Sequence, residues 1–143
     1  MQTNGKQVRQ ERSGWRDLRL SQRHRAWGWD CPAVDLDLLF LEYDKGIPVA
    51  IIEYKHENAP PQFASNPNYQ ALINLGNRAE LPVFAVRYTD DFEWYEAVPL
   101  NALAQKLCPE RKQMTEAAWV KFLYNIRGYE PPDYLFDGRK VRI

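Results

Sequence analysis

The chain has 143 residues, a length that suits one compact domain, and its 45% of apolar residues suffices for a single packed core. No apolar run approaches the roughly 18 residues that a membrane-spanning helix needs, so we expect no membrane partner. The formal net charge of zero excludes a uniformly basic nucleic-acid-binding chain. The first residues are polar and lack the apolar stretch of a signal peptide, which predicts a cytoplasmic protein.

Positive charge is concentrated near the amino terminus. Residues 1–29 contain seven Lys or Arg and two acids, a net charge of +5, whereas the remaining residues contain twelve basic and seventeen acidic side chains, a net charge of −5. Residues 14–27 lack proline and predict a helix. Spacings of four, three and four place four arginines in one stripe along one helical face: Arg12, Arg16, Arg19 and Arg23. The stripe is either a solvated face or a surface that contacts nucleic-acid phosphates.

The clearest structural pattern along the chain is a β-hairpin. Leu36–Tyr43 and Ile47–Tyr54 are apolar runs rich in residues that favour strands. Asp44–Gly46 between them is typical turn sequence, in which glycine is free to take a positive φ. Because both runs are almost continuously apolar, we expect both faces of the hairpin to be at least partly covered.

The segments after the hairpin predict helices packed on a sheet. Asn66 is a suitable N-cap, and Pro67 suits the first position of a helix that ends near Ala79. The elements predicted after it are strands at Leu81–Tyr88 and Glu93–Pro99, a short helix at Asn101–Leu107, a helix from Thr115 to Gly128, and a tail that is irregular or a short hairpin. A hairpin followed by a helical crossover to another strand implies an α/β fold with a mixed four-stranded sheet flanked by helices.

Three charged residues are expected at the open end of the predicted hairpin. Because side chains alternate along a strand, Glu53 and Lys55 share one face at the far end of an otherwise apolar run. Counting outward from Lys45 in the turn places Asp37 roughly opposite Glu53. Buried charge is costly unless it is paired or bound to a metal. The cluster is therefore a candidate site, and a strand-end ion pair between Glu53 and Lys55 is the structural alternative.

These groups suit a site for Mg²⁺ or Mn²⁺. Such hard cations take oxygen ligands, usually one or two protein carboxylates, and complete their shell with water and substrate phosphate. Asp37 and Glu53 supply carboxylates, and the backbone carbonyl of Tyr54 is a further oxygen ligand. Lys55 is placed to stabilise negative charge that develops on a phosphate or to orient a water molecule. The expected chemistry is hydrolysis of a phosphodiester bond.

Asp37 is followed, after fifteen intervening residues, by Glu53-Tyr54-Lys55 at the end of an apolar strand. This pattern resembles the PD-(D/E)XK nuclease superfamily, which includes restriction endonucleases and Holliday-junction resolvases. The resemblance implies a restriction-endonuclease-like core over about residues 9–99, with residues 100–143 as a C-terminal helical extension of the same single domain, 1–143. It also implies a metal-dependent nuclease that hydrolyses DNA, with RNA as the alternative substrate. A homodimer would supply the two sites that cutting both strands requires.

Several positions leave the assignment of individual residues open. Asp35 lies beside Asp37 and is the alternative for the essential acid. Many members of the superfamily add a metal-binding Glu from the first helix, for which Glu11 is the match here, and Asp17 is the other acid near that position. Some members place a Gln, and four residues on a Tyr, on the helix after the E-x-K strand. Here Gln70 is followed by Asn74, so the resemblance implies a nucleic-acid contact by Gln70 alone.

Two other function classes fit the same residues. One is a non-catalytic nucleic-acid-binding module that retains the nuclease fold with a vestigial Asp-Glu-Lys cluster. The other is an interaction subunit of a larger assembly, which the zero net charge and the five tryptophans favour. Metal binding separates the nuclease from both alternatives, and salt-dependent DNA binding separates the two alternatives from each other.

Overall fold

The computed structural model describes residues 18–27 and 36–143, and contacts divide the chain into two compact units, residues 1–33 and 34–143. In the first unit, helix α1 spans Leu18–Ala26, and its described side chains are exposed. This helix falls within the range predicted from sequence. No helix in the described residues is long and apolar enough to cross a membrane.

The second unit is built on a mixed five-stranded sheet with the order β1-β2-β3-β4-β5. β2 runs antiparallel to β1 and parallel to β3, and β3–β4 and β4–β5 are antiparallel pairs. The strands are β1 (Leu38–Glu42), β2 (Ile47–His56), β3 (Val83–Tyr88), β4 (Trp94–Pro99) and β5 (Lys112–Thr115). The predicted α/β class, the mixed sheet and the hairpin are confirmed, and Gly46 in the turn takes a φ of 64°.

The prediction of four strands was wrong because β5 carries little sequence signal. Its four residues, KQMT, include one buried apolar side chain, Met114, and the other three are exposed. The segment is an edge strand that the ladder to β4 defines, with Trp94 opposite Thr115 and Tyr95 opposite Met114. A hydrophobic pattern cannot reveal a strand of this kind.

The helices of the second unit are α2 (Pro67–Ala79), α3 (Ala102–Leu107) and α4 (Glu116–Ile126). Each begins at a side-chain cap, because Asn66, Asn101 and Thr115 accept hydrogen bonds from backbone N–H groups of the first turn. The caps at Asn66 and Thr115 confirm the predicted helix starts. The tail forms a short antiparallel hairpin of β6 (Phe136–Asp137) and β7 (Lys140–Val141), one of the two forms expected for it.

Two apolar clusters lie on opposite faces of the sheet. The larger cluster includes Ile52, Phe84 and Val86 and packs against Trp119 of α4. The smaller cluster joins Ile51 and Val83 to Leu72 of α2. Because residues on a strand alternate between faces, α2 and α4 cover opposite sides of the sheet.

The approach of α2 to β3 depends on Gly76 and Asn101. Asn101 is buried, and its amide oxygen accepts from the N–H groups of Val83 and Ala104, while its nitrogen donates to the carbonyl of Leu81 and the side chain of Asn77. A Cβ at Gly76 would collide with Val83 Cγ2 and would lie 3.0 Å from the Leu81 carbonyl oxygen. Gly76 therefore sets how closely α2 lies on the sheet.

Gly76→Ala is expected to destabilise the protein by about 1–2 kcal/mol, because the unfavourable crowding in the packed core is larger than the favourable change in helix propensity. Asn74→Ala, at an exposed position of the same helix, is the matched control and should change the free energy of unfolding by less than about 0.5 kcal/mol. Urea denaturation of both variants measures the difference. Equal stability of Gly76→Ala and the wild type would contradict the close approach.

Candidate functional site

The β1–β2 hairpin brings Asp37 next to Glu53. Leu39 pairs with Ile51 and Leu38 with Ile52, so the next position in this register sets Asp37 opposite Glu53. The Asp37 carboxyl affects the pKa of Glu53 both through its charge and through a hydrogen bond, which requires the two carboxyl groups to be close. The structure therefore brings together the two acids that the sequence predicted, on one face of the sheet.

Glu53 is a buried carboxyl with a basic partner. The residue is 8% exposed, and its Oε2 lies 3.0 Å from Lys55 Nζ. Burial raises the pKa of Glu53 above its ordinary value, and Asp37 raises it further, while the hydrogen bond and charge of Lys55 oppose both effects. The hydrogen bond to Glu53 raises the pKa of Lys55, so the ammonium group stays charged at neutral pH.

Tyr54 contributes its backbone to the site and its side chain to the core. The Tyr54 hydroxyl accepts a hydrogen bond from Trp119 Nε1 at 2.9 Å on the opposite face. The N–H of Ile51 donates to the Pro82 carbonyl next to β3, so alternate residues of β2 direct their backbone groups toward β3. Tyr54 is out of phase with Ile51, and its carbonyl therefore points to the β1 side, where Asp37 lies.

Tyr69 and Arg87 border the cluster, and neither was predicted from the sequence as a site residue. Arg87 lies opposite Lys55 in the parallel β2–β3 ladder. Tyr69, on α2, is 6% exposed; its pKa is raised mainly by burial, and the charges of Lys55, Glu53, Arg87 and Asp37 also act on it. A signal for Arg87 was present, because it ends an apolar strand just as Lys55 does. No comparable signal marked Tyr69, whose spacing is that of a core residue.

Of the other predicted site residues, Gln70 lies in the same unit as the cluster but has no described contact with it. Gln70 is exposed, and its Nε2 donates to the Ala64 carbonyl at 2.6 Å, which ties α2 to the preceding loop. Arg19 and Arg23 are exposed on α1, in the first unit. The other four predicted residues lie outside the described part of the chain and stay predictions: Glu11, Arg12, Arg16 and Asp35.

The donor set fits a small hard cation held by few protein ligands. In residues 18–27 and 36–143, no group of three or more His, Cys, Asp or Glu side chains is placed to hold a metal. The cluster offers two neighbouring carboxylates, and the Tyr54 carbonyl points to the same side. Mg²⁺ commonly uses one or two protein carboxylates and takes its other ligands from water and phosphate. Two mutually repelling carboxylates are also a site at which a cation lowers the electrostatic energy.

No protein-family model matches the sequence, and neither a curated protein nor a solved structure matches the chain.

The pKa of Glu53 should respond in opposite directions to its two charged neighbours. Asp37→Asn removes a negative charge and should lower the pKa of Glu53, whereas Lys55→Met removes its basic partner and should raise it. Carbon-13 NMR titration of the Glu53 carboxyl measures both shifts. Asp44→Asn, at the turn end of the hairpin, is the control and should leave the titration unchanged. An unchanged pKa in Asp37→Asn would show that the two carboxyls are not neighbours.

Proposed function

We propose that the protein is a Mg²⁺- or Mn²⁺-dependent nuclease of the PD-(D/E)XK type, with a restriction-endonuclease-like core, that hydrolyses phosphodiester bonds in DNA. The observation that carries the proposal is the meeting of Asp37, Glu53 and Lys55 on one sheet face. Glu53 is 8% exposed and Lys55 Nζ lies 3.0 Å from it, so charged groups are held where packing alone would favour apolar side chains.

Each residue of the cluster has a separate role in this reaction. Asp37, Glu53 and the Tyr54 carbonyl hold the cation, which when bound polarises the phosphate and lowers the pKa of a water molecule. Lys55 donates to a non-bridging phosphate oxygen and stabilises the charge that accumulates there. The ion pair with Glu53 keeps the Lys55 ammonium charged and oriented before substrate arrives.

Exposed arginines support DNA as the partner. Arg19 and Arg23 are exposed on α1, four residues apart and so on one helical face. Phosphate contacts by such side chains add affinity without sequence preference. We include Arg12 and Arg16 in the same proposed surface, and we propose that two copies of the chain act together when both strands are cut.

The Glu53–Lys55 ion pair also favours one alternative, a nucleic-acid-binding module without catalysis. In that case the 3.0 Å contact would serve the structure, and no cation would be required. Removal of one partner from a buried ion pair then leaves an uncompensated charge and is strongly destabilising, by about 3–5 kcal/mol. In the nuclease, removal of Glu53 also relieves its repulsion with Asp37, which stays beside Lys55, so little stability is lost while metal binding falls.

Glu53→Ala should abolish cleavage of a mixed panel of DNA substrates in Mg²⁺ or Mn²⁺ and weaken Mn²⁺ binding, with little loss of thermal stability. Lys55→Ala should reduce turnover by about 10²-fold or more while Mn²⁺ affinity holds or rises, because a competing positive charge is removed. Cleavage assays, calorimetric Mn²⁺ titration and melting curves separate chemistry from binding. Glu93→Ala and Lys45→Ala, at exposed positions, are the matched controls.

Two results would count against the nuclease. The first is that the wild type binds no divalent cation at millimolar concentration, with or without DNA, which would remove the catalytic role of the carboxylates. The second is that Glu53→Ala melts far below the wild type while binding DNA normally, which would assign Glu53 and Lys55 to a structural ion pair.

A further inference from the structure

A groove of about 410 Å³ opens beside the candidate site and shares Lys55 with it. Ala85 and Val98 of the sheet line it on one side, and Tyr69 of α2 and the loop residues 61–64 line it on another. The volume lies in the range typical of small-molecule sites. Because Lys55 belongs both to the groove and to the charged cluster, an occupant that reaches Lys55 lies at the edge of the candidate site.

One aromatic ring in the groove is exposed and lies on a loop whose backbone is hydrogen-bonded at both ends. Phe63 is 76% exposed, although it lines the groove. Its loop is fixed at its far end, where the Asn66 N–H donates to the Phe63 carbonyl and Gln70 Nε2 donates to the Ala64 carbonyl. At the near end a single nitrogen, Arg87 Nη1, donates to three backbone carbonyls, those of His56, Glu57 and Ala59. The ring is thus presented by an ordered loop, as a surface for stacking requires.

The charges in the groove favour an anion. Three basic side chains line it, Lys55, Arg87 and Arg111, against one acid, Glu96. Arg111 Nη1 lies 3.7 Å from Glu96 Oε1, so the acid already has a basic partner. Lys55 pairs with Glu53 of the candidate site, whereas the described partners of Arg87 are neutral backbone carbonyls, so the positive charge without a described carboxylate partner is that of Arg87, at the Lys55 end of the groove.

We propose that this groove binds one unpaired nucleotide of a nucleic-acid strand, with its base stacked on Phe63 and its phosphate beside Lys55. The inference rests on the proposed nuclease function and names its substrate class: strands with unpaired nucleotides, such as single strands, overhangs and flaps. In an intact duplex both faces of a base are covered by its neighbours, so the Phe63 ring has no free base to stack on. Stacking on an aromatic ring does not discriminate among bases, so little sequence preference is expected.

The test measures binding apart from cleavage. Fluorescence anisotropy in EDTA, which removes the cations needed for hydrolysis, compares a labelled mixed-sequence single-stranded oligonucleotide with the duplex of the same sequence. The wild type should bind the single strand more tightly. Phe63→Ala should weaken single-strand binding by about 5- to 150-fold, the range for loss of one stacked base, and leave duplex binding unchanged. Phe63→Tyr should retain the affinity.

Tyr134→Ala is the matched control, because Tyr134 is 71% exposed and does not line the groove. Unchanged single-strand affinity in Phe63→Ala, an equal loss for single strand and duplex, or no binding of the single strand by the wild type would overturn the inference. If Phe63→Ala binds the single strand with wild-type affinity and still cleaves in Mg²⁺, the groove proposal fails and the nuclease proposal holds. If binding depends on Phe63 but the protein cleaves no substrate, the nuclease proposal fails and the groove still binds a nucleotide.

Discussion

A β-bulge separates two registers in the β1–β2 hairpin. Near the turn Leu41 pairs with Pro48, but the next residue of β1, Phe40, pairs with Ala50, so β2 carries an extra residue at this point. Continued without the bulge, the register at the turn would set Asp37 opposite Ile52, whose side chain is buried in the core on the other face. With the bulge, Asp37 lies opposite Glu53. The meeting of the two carboxylates therefore depends on one extra residue several positions away from them.

The same sheet face then combines three environments in sequence. Ile51 and Val83 pack under α2, Glu53 and Lys55 follow along β2, and the groove with Phe63 extends from Lys55. Burial beside the apolar cluster is the main cause of the raised pKa of Glu53, and it also strengthens the interactions of Glu53 with Asp37 and Lys55. Arg87 lies at the end of β3 and donates hydrogen bonds to the loop after β2. The same residue therefore stabilises the loop, lies opposite Lys55 of the charged cluster and lines the groove.

The sequence alone predicted the elements with strong patterns and the residues they carry. The hairpin, the cap of α2 at Asn66 and the position of Asp37 opposite Glu53 follow from alternation and capping chemistry. Counting equal numbers of residues on both sides of Lys45 pairs Asp37 with Glu53. This count gives the correct partner because it coincides with the register that the hairpin has beyond the bulge. β5 was missed because backbone pairing defines it, and Tyr69 was missed because its place beside Lys55 results from the packing of α2. Contacts between elements distant in sequence leave no local signal of this kind.

Anomalous diffraction from crystals grown with Mn²⁺ tests whether Asp37 and Glu53 hold a cation, because it locates the metal without relying on turnover. We predict a Mn²⁺ peak coordinated by the Asp37 and Glu53 carboxylates, with the Tyr54 carbonyl as a further ligand and Lys55 displaced from Glu53. Crystals of Glu53→Ala grown under the same conditions should lack that peak. A wild-type structure in which Mn²⁺ is absent from these carboxylates at saturating concentration, with the Glu53–Lys55 ion pair intact, would contradict the proposed cation site.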